Sequence, residues 1–391
     1  MNKKIYLSLA VVCLVLVSVI LYKSYRPIGQ LDKNDEIVIG AILSLSGSTS
    51  SFYGEYNKNA LDLYVEELNK QGGVSGKKVR IEYQDSKGDK VAAIQAFNLM
   101  HAQGIRYFIA DISPVVVGIA PIANEKKSIL IGTSASNPTI TNMGEYIFRT
   151  KLSAETEGKI AAQYLGAQLK PKSVAFLYQS SDYGVGVFNS FGPIIKASGV
   201  KVLAEEEYDK DSTDMRTQLA KIKQQNPEIL IMAGFPKEVG RIIKQAKEIG
   251  INAKLFAHSG SIGPDIELIA GSSSAGMLYF TELHEDGTRF KEFKEKYIAK
   301  YGVSPELFAA NTYDAIILLV NGIGQCSAGV DGGNASVTAS SSVTNYWAGL
   351  AEVDCVKNNL ASTKGFQGVA GNITFDENGD LIERELVLRV R

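Results

Sequence analysis

From residue 36 onward the chain alternates short β-rich runs with amphipathic windows, the pattern of mostly parallel sheets covered on both faces. Residues 37–43, 79–83, 107–110 and 129–132 are β-branched or aromatic runs bounded by Gly, Asp or Ser, and each predicts a strand. Between them lie helices. In the first, Leu61, Tyr64, Val65 and Leu68 recur at i, i+3, i+4 and i+7 while Asp62, Glu66 and Glu67 take the other face, and Gly72-Gly73 ends it. A second series begins near Ala154, with strands over 174–178, 200–204, 229–233 and 255–257. Its helices carry a stripe of Met215, Leu219 and Ile222, then one of Val239, Ile242, Ile243, Ala246 and Ile249 that closes at Gly250. After a strand over 277–280 come three helical windows with no strand between them, the first carrying Phe290, Phe293, Tyr297 and Tyr301, the others over 308–323 and 343–360. The chain closes on residues 373–375, the turn Asp376-Glu377-Asn378-Gly379 and a strand over 381–388, which reads as an antiparallel hairpin at a sheet edge.

At 391 residues the chain exceeds a single core, which stops growing at roughly 250–300 residues, so the two series predict two doubly wound, Rossmann-like α/β lobes. The 45% hydrophobic and 21% charged content is that of a folded globular body. Forty-one basic residues against 42 acidic ones leave a net charge of −1, which excludes a polyanion-binding field and sets nucleic acid aside. The first 35 residues differ. Lys3 and Lys4 precede an uncharged run over 5–22, followed by Lys23 and Arg26, which predicts a helix that leads the body out of the cytoplasm. An uncleaved membrane anchor is favoured over a removed signal, because no small-x-small cleavage site is apparent and Val12 is too large for lipid attachment at Cys13. Export fits the remaining cysteines, Cys326 and Cys355, which bracket a Ser/Gly/Ala-rich stretch and are expected to form a disulfide; two buried thiols are the alternative.

Catalytic devices are scarce. His101, His258 and His284 are the only histidines and have no metal spacing around them, so neither a metal nor a cofactor is expected. Gly271-Ser272-Ser273-Ser274-Ala275 approximates a nucleophile elbow, but a helix precedes it and a strand follows, the reverse of what that device needs. Tyr183-Gly184-Val185-Gly186 imitates a dinucleotide turn, with Asn189 where the third glycine belongs. What remains is a set of hydroxyl- and aromatic-rich loops at predicted strand ends, where open α/β sheets bind ligands: residues 44–53, 111–114, 133–137, 179–183, 234–236 and 258–261. Ser134, Ala135 and Ser136 offer hydroxyls and backbone N–H groups suited to an anion.

These features resemble the type I periplasmic binding proteins, and within them the branched-chain amino-acid and amide binding branch. The resemblance rests on Ile39-Gly40-Ala41 to Ser46-Gly47, Tyr53-Gly54, Gly72-Gly73-Val74-Ser75-Gly76 and Ile81-Glu82-Tyr83-Gln84-Asp85. It continues through Ala120-Pro121-Ile122-Ala123, Phe148-Arg149-Thr150, Asp182-Tyr183-Gly184, Thr312-Tyr313-Asp314-Ala315, and Phe366-Gln367-Gly368 before Phe375-Asp376. It implies a first lobe of residues 36–152 plus 282–362 and a second of 153–281 plus 363–391, after an anchor and linker over 1–35. Three crossovers near residues 151–154, 280–283 and 361–365 would join them. Carried over by position, the ligand-facing set is Tyr53, Ser113, Ser134, Ala135, Ser136, Tyr183, Phe235 and Ser259. Three positions depart from the amino-acid binders: Pro114 stands for a second serine, Phe235 for a tyrosine, and Ser259 for the glutamate that faces the ligand ammonium. The implied protein is no enzyme. It is the extracytoplasmic receptor of an ABC transporter, partnered by a small solute (an amino acid, amide or carboxylate), a permease and, through its N-terminal helix, the membrane. The alternative is a sensing ectodomain of the same fold. The three departures together predict a pocket that favours a neutral or singly anionic solute over a small zwitterion, unless an acid such as Asp111 or Asp182 takes the missing glutamate's place.

Overall fold

The first half of the alternation builds one sheet. β1 (Glu36–Leu43), α1 (Glu55–Lys70), β2 (Lys78–Asp85), α2 (Lys90–Ala102), β3 (Tyr107–Ile112), α3 (Ser113–Glu125), β4 (Ile129–Ser134) and β5 (Ile147–Arg149) follow in turn. Their strands take the order β2-β1-β3-β4-β5, with β1–β3, β3–β4 and β4–β5 parallel. β3 and β4 are buried along their whole length, because helices cover both faces. The computed structural model describes residues 36–47, 53–330 and 342–391; the expected N-terminal anchor and residues 48–52 of the first loop lie outside them.

The second half repeats the scheme: α4 (Ala154–Tyr164), β6 (Ser173–Ser180), α5 (Asp182–Ala197), β7 (Lys201–Asp209), α6 (Arg216–Gln225), β8 (Ile229–Ala233), α7 (Pro236–Glu248), β9 (Lys254–Ala257), α8 (Asp265–Ala270) and β10 (Leu278–Thr281). Its helices form because their apolar stripes have a sheet face to bury, as Val239, Ile242, Ile243 and Ala246 of α7 do. The chain continues through α9 (Thr288–Tyr301), α10 (Leu307–Val330), α11 (Ser342–Ala361), β11 (Phe366–Gln367), β12 (Asn372–Phe375), β13 (Leu381–Ile382) and β14 (Val387–Val390). The larger sheet has the order β14-β10-β9-β8-β6-β7, parallel except that β14 runs antiparallel to β10.

Among the described residues one helical stretch, Leu307–Ser327, is long and apolar enough to cross a membrane. It is 83% buried and packs on α1 and α11, so its apolar length serves the first lobe's core. Cys326 near its end is bonded to Cys355 of α11, with Cα atoms 5.9 Å apart.

The C-terminal segment departs from the single strand expected over 381–388. Glu383 adopts φ 60°, Arg384 turns into the interior, and the run splits into β13 and β14. The hairpin of β12 and β13 joins β11 in a small sheet of its own rather than an edge of the larger one. It lies against β5, where Arg149 N donates to Gly379 O (3.0 Å), Phe375 packs on Phe148 (5.4 Å) and Arg149 Nε sits 2.6 Å from Asp380 Oδ1. Only β14 returns to the larger sheet. Gly271–Ser274 is a short turn between α8 and β10, as the order of elements requires.

Candidate functional site

On the first lobe, carboxylates shape the loops at the strand ends. Asp85 Oδ1 accepts from the backbone N–H groups of Leu45 (3.0 Å), Ser46 (3.1 Å) and Lys87 (2.8 Å), which fixes the turn after β1. Asp111, fully buried, accepts from Ser44 N (2.7 Å) and Ile112 N (2.8 Å). Burial pushes its carboxyl up to about 6 against the pull of those amides. The loop expected at residues 111–114 is instead the end of β3 and the start of α3, with Pro114 in the helix's first turn, where a missing N–H costs nothing. Ser113 Oγ accepts from Asn137 N (3.2 Å), so this hydroxyl braces the 134–137 loop. In that loop Ser134 Oγ lies 3.4 Å from Asn57 Nδ2, Ala135 is buried, and Ser136 Oγ is buried without a hydrogen-bond partner.

On the second lobe, Gly184 lets α5 start against the end of β6, since a Cβ there would lie 2.2 Å from Gln179 O. Gly54 does the same in the first lobe, 2.0 Å from Ser44 O. Each glycine follows a tyrosine, and both tyrosines are buried in the space between the lobes. Tyr183 stacks on Phe235 at 5.5 Å, and its hydroxyl meets His258 Nδ1 (2.9 Å) and Ser261 Oγ (3.0 Å). Tyr53 meets Phe235 edge-on at 5.5 Å and Phe308 at 4.7 Å, and its hydroxyl donates to Gly260 O across the interface. The lobes also meet where Asn137 Nδ2 donates to Asp182 O and Lys210 Nζ to Gly88 O (3.2 Å). Burial drives the phenols of Tyr53 and Tyr183 well above the ordinary value, so both act as neutral donors or acceptors.

Ser259 belongs to a different set of contacts. Its N–H donates to Glu157 Oε1 (2.8 Å), its hydroxyl donates to Glu157 Oε2, and it accepts from Lys151 Nζ (2.9 Å). Lys151 also pairs with Glu282, and Glu282 Oε2 accepts from Leu152 N (3.1 Å) and lies 3.7 Å from Arg384 Nη1. Lys151 follows β5, Glu282 follows β10 and Arg384 follows β13, and all three side chains are fully buried. Asp314 of α10 accepts from Val369 N (2.6 Å) and Ala370 N (3.0 Å) beside Arg384; burial lifts it to about 6, opposed by the arginine. His258 Nε2 lies 3.2 Å from Glu157 Oε2, but burial, then Lys151, holds the imidazole well below its ordinary range, so the ring is neutral.

The structure thus brings Tyr53, Tyr183 and Phe235 into one aromatic cluster and leaves Ser136 with hydrogen-bonding capacity, while Ser113 and Ser259 are committed to bracing. The hinge charges are absent from the sequence reading, because nothing in their spacing distinguishes a buried Lys or Arg from a solvated one. A cavity of about 700 Å³ opens between Asn137–Thr139 and the Glu155, Lys159 and Asp182 region, and none of the predicted ligand-facing residues lines it. A second, of about 40 Å³, lies between Ser259, Leu283 and Phe308 and is large enough for about one water. Among the described residues no group of His, Cys, Asp and Glu is arranged to hold a metal ion.

The chain is 24% identical over 369 residues to the Leu/Ile/Val-binding protein BraC3 of Rhizobium johnstonii, covering 93% of each chain. It is 25% identical over 332 residues to the leucine-, isoleucine-, valine-, threonine- and alanine-binding protein of Pseudomonas aeruginosa, covering 84% of this chain and 83% of that one. Among solved structures it is similar to the branched-chain amino acid transporter substrate binding protein LivJ of Streptococcus pneumoniae in complex with isoleucine (TM-score 0.77, 24% identity, covering 91% of this chain and 96% of that one). It is also similar to an ABC transporter solute binding protein of R. palustris in complex with benzoate (TM-score 0.78, 18% identity, covering 91% and 93%). The family model for periplasmic binding proteins matches residues 36–390, so the chain, with its two sheets and converging strand-end loops, belongs to the periplasmic binding protein family.

Proposed function

We propose that the chain is the solute receptor of an ABC-type transporter, tethered outside the cytoplasm by its N-terminal helix. It closes two lobes on an amino acid, an amide or a related carboxylate and passes the solute to a permease. The observation that carries this reading is the contact across the interface: Tyr53 from one lobe donates to Gly260 O of the other, above the stacked rings of Tyr183 and Phe235. Loops at the ends of parallel strands on both lobes meet there and nowhere require chemistry, which suits capture rather than turnover. Ser134, the Ala135 backbone and Ser136 are the set we assign to an anionic end of the solute, with Tyr53, Tyr183 and Phe235 as the walls. Ser113 and Ser259 act behind them. The lobes divide, in this reading, into residues 36–152 plus 282–382 and 153–281 plus 383–391. The third crossing then falls at Arg384 rather than at 361–365, because the β12–β13 hairpin packs on β5.

Thermal shift with isoleucine, benzamide and benzoate tests capture, since a solute at about one hundred times its Kd stabilises the native state by roughly 2.7 kcal/mol. A bound solute should raise the melting point and be recovered unchanged; recovery of a product would overturn the receptor reading. Replacing Ser134 and Ser136 together by Ala removes charge-assisted bonds worth about 1.5–3 kcal/mol each and should weaken an anionic solute at least about tenfold. Protease added to intact cells or spheroplasts should digest residues 36–391; a protected body would contradict the extracytoplasmic placement.

A further inference from the structure

Between the buried charges and the aromatic cluster lies the turn over residues 258–261, and its hydrogen bonds run in one direction. His258, fully buried, is flanked by the rings of Tyr183 and Phe191, each 5.5 Å away. The N–H of Gly260 donates to His258 Nδ1 (3.0 Å), so that nitrogen carries no hydrogen. The neutral imidazole then keeps its hydrogen on Nε2, which faces Glu157 Oε2 at 3.2 Å. The phenol of Tyr183, 2.9 Å from the same Nδ1, can only donate to it. Having one hydrogen, Tyr183 accepts in turn from Ser261 Oγ (3.0 Å), which accepts from Gly234 N (3.3 Å). Glycine is required at position 260, since a Cβ there would lie 2.6 Å from Tyr183 Oη. Its carbonyl meanwhile accepts from Tyr53 of the first lobe.

The direction is set from the far end of this chain of bonds. Glu157, fully buried on α4, accepts from the N–H (2.8 Å) and the hydroxyl of Ser259 and lies 3.6 Å from Lys151 Nζ. All of these neighbours donate, so the imidazole turns its N–H toward the same acid. The opposite tautomer would set Nδ1–H against Gly260 N–H and aim the lone pair of Nε2 at Glu157, unfavourable at both nitrogens. We infer that His258, oriented by Glu157, is the positioning residue that determines what Tyr183 can offer a solute. The phenol spends its only hydrogen inside the second lobe, so it faces the solute with a ring and oxygen lone pairs and does not donate. The same imidazole holds the Gly260 amide, and with it the carbonyl on which Tyr53 closes. Lys151 ties this arrangement to Glu282 through Ser259 Oγ (2.9 Å).

This inference rests on the receptor reading for the role of Tyr183, and the experiment separates the two. The first arm needs no solute. The full chain has three histidines, so nitrogen-15 labelling of histidine, with His258 assigned by its loss in His258→Asn, reads the tautomer from proton–nitrogen correlations. Wild type should carry the hydrogen on Nε2, and Glu157→Gln should move the His258 signals toward the other tautomer. A hydrogen on Nδ1 in wild type, or unchanged signals in Glu157→Gln, would overturn the inference. The second arm is calorimetric titration with whichever of isoleucine, benzamide and benzoate raises the melting point. His258→Ala should weaken binding about tenfold or more, because the phenol and the Gly260 amide lose their shared acceptor. His258→Asn, whose Oδ1 returns an acceptor near the place of Nδ1, should recover most of that loss, which a ring used only for packing would not allow. Tyr183→Phe on the His258→Ala background should add little, since the two residues act through one bond. Additive losses, or no recovery in His258→Asn, would overturn the inference and leave the receptor reading standing. If none of the three solutes moves the melt, the receptor reading fails, and the role assigned to Tyr183 fails with it whatever the tautomer.

Discussion

Glu238, buried in the first turn of α7, carries a consequence in pH. Burial pushes its carboxyl from 4.5 up to about 7, opposed by its own backbone amide and Arg241, while Asp211 adds to the rise and Lys237 to the opposition. The folded chain therefore holds this proton more tightly than the unfolded chain. Its stabilising contribution is fully present below pH 4.5 and is lost as pH rises through about 7, a difference on the order of 3 kcal/mol. Wild type should accordingly lose stability between pH 5 and 8 relative to Glu238→Gln, read by denaturant unfolding at several pH values; parallel profiles would show a well-solvated carboxyl. The sequence singled out Ser134, Ser136 and Tyr183 because hydroxyls and aromatics at strand ends stand out from their surroundings. Glu238 does not, since a glutamate in Pro236-Lys237-Glu238-Val239 reads as the solvated opening of an amphipathic helix. Its burial, 1% exposed, comes from tertiary packing, which no local pattern records.

Between residue and molecule, the elements show what periodicity reports and where it ends. Most strands of both sheets and the stripes of α6 and α7 were readable from short β-rich runs and a period of 3.6, whereas the three-residue β5 was not, and α1 buries Asn57, Ala60, Leu61 and Leu63 with Tyr64, Val65 and Leu68 of the expected stripe only half-buried. The end of β7 was read too short because Glu205, Glu206 and Glu207 look unlike a strand, yet this edge strand runs to Asp209 paired with β6 on one side only. The break between β13 and β14 was missed because Leu381–Leu388 alternates acceptably, while Arg384 leaves the strand to reach Glu282 and Asn311 Oδ1 (2.8 Å). Glycines at the element starts were legible as motifs but not as mechanism. Gly184→Ala would set a Cβ 2.2 Å from Gln179 O, a backbone atom that cannot swing aside, and should cost about 1–3 kcal/mol or more while loosening the Tyr183 stack. Chemical denaturation measures the cost, and an unchanged midpoint would mean that α5 can back away freely. The disulfide acts on the same scale. Cys326 and Cys355 close a loop with a separation of 29 residues, worth roughly 3–4 kcal/mol in the chain-entropy account, so Cys355→Ser should lower stability by about that amount.

For the molecule as a whole, two kinds of contact join the lobes, and they should fail differently. In the lobe division proposed above, the hinge is a set of fully buried charges, Lys151, Glu282 and Arg384, one from each crossing, with Glu282 between the two cations. Removing Glu282 leaves Lys151 with only the acid Glu157, 3.6 Å away, and Arg384 with only the acid Asp314, 3.9 Å away, so a loss approaching the roughly 3–5 kcal/mol of a broken buried pair is expected. The latch is the hydroxyl of Tyr53 on Gly260 O, a single neutral bond worth about 0.5–1.5 kcal/mol net. Tyr53→Phe keeps the rings packed on Phe235 and Phe308, so core stability should barely change while the open form gains up to about tenfold in population. Glu282→Gln should instead unfold the chain at markedly lower denaturant, because the lysine and the arginine lose their shared acid. Small-angle scattering alongside a denaturation series distinguishes the pair: Tyr53→Phe should show a larger radius at nearly unchanged midpoint, and Glu282→Gln a lower midpoint. If Tyr53→Phe scatters like wild type, closure is set by the packed rings and by the Asn137 and Lys210 contacts, and the hydroxyl is no latch.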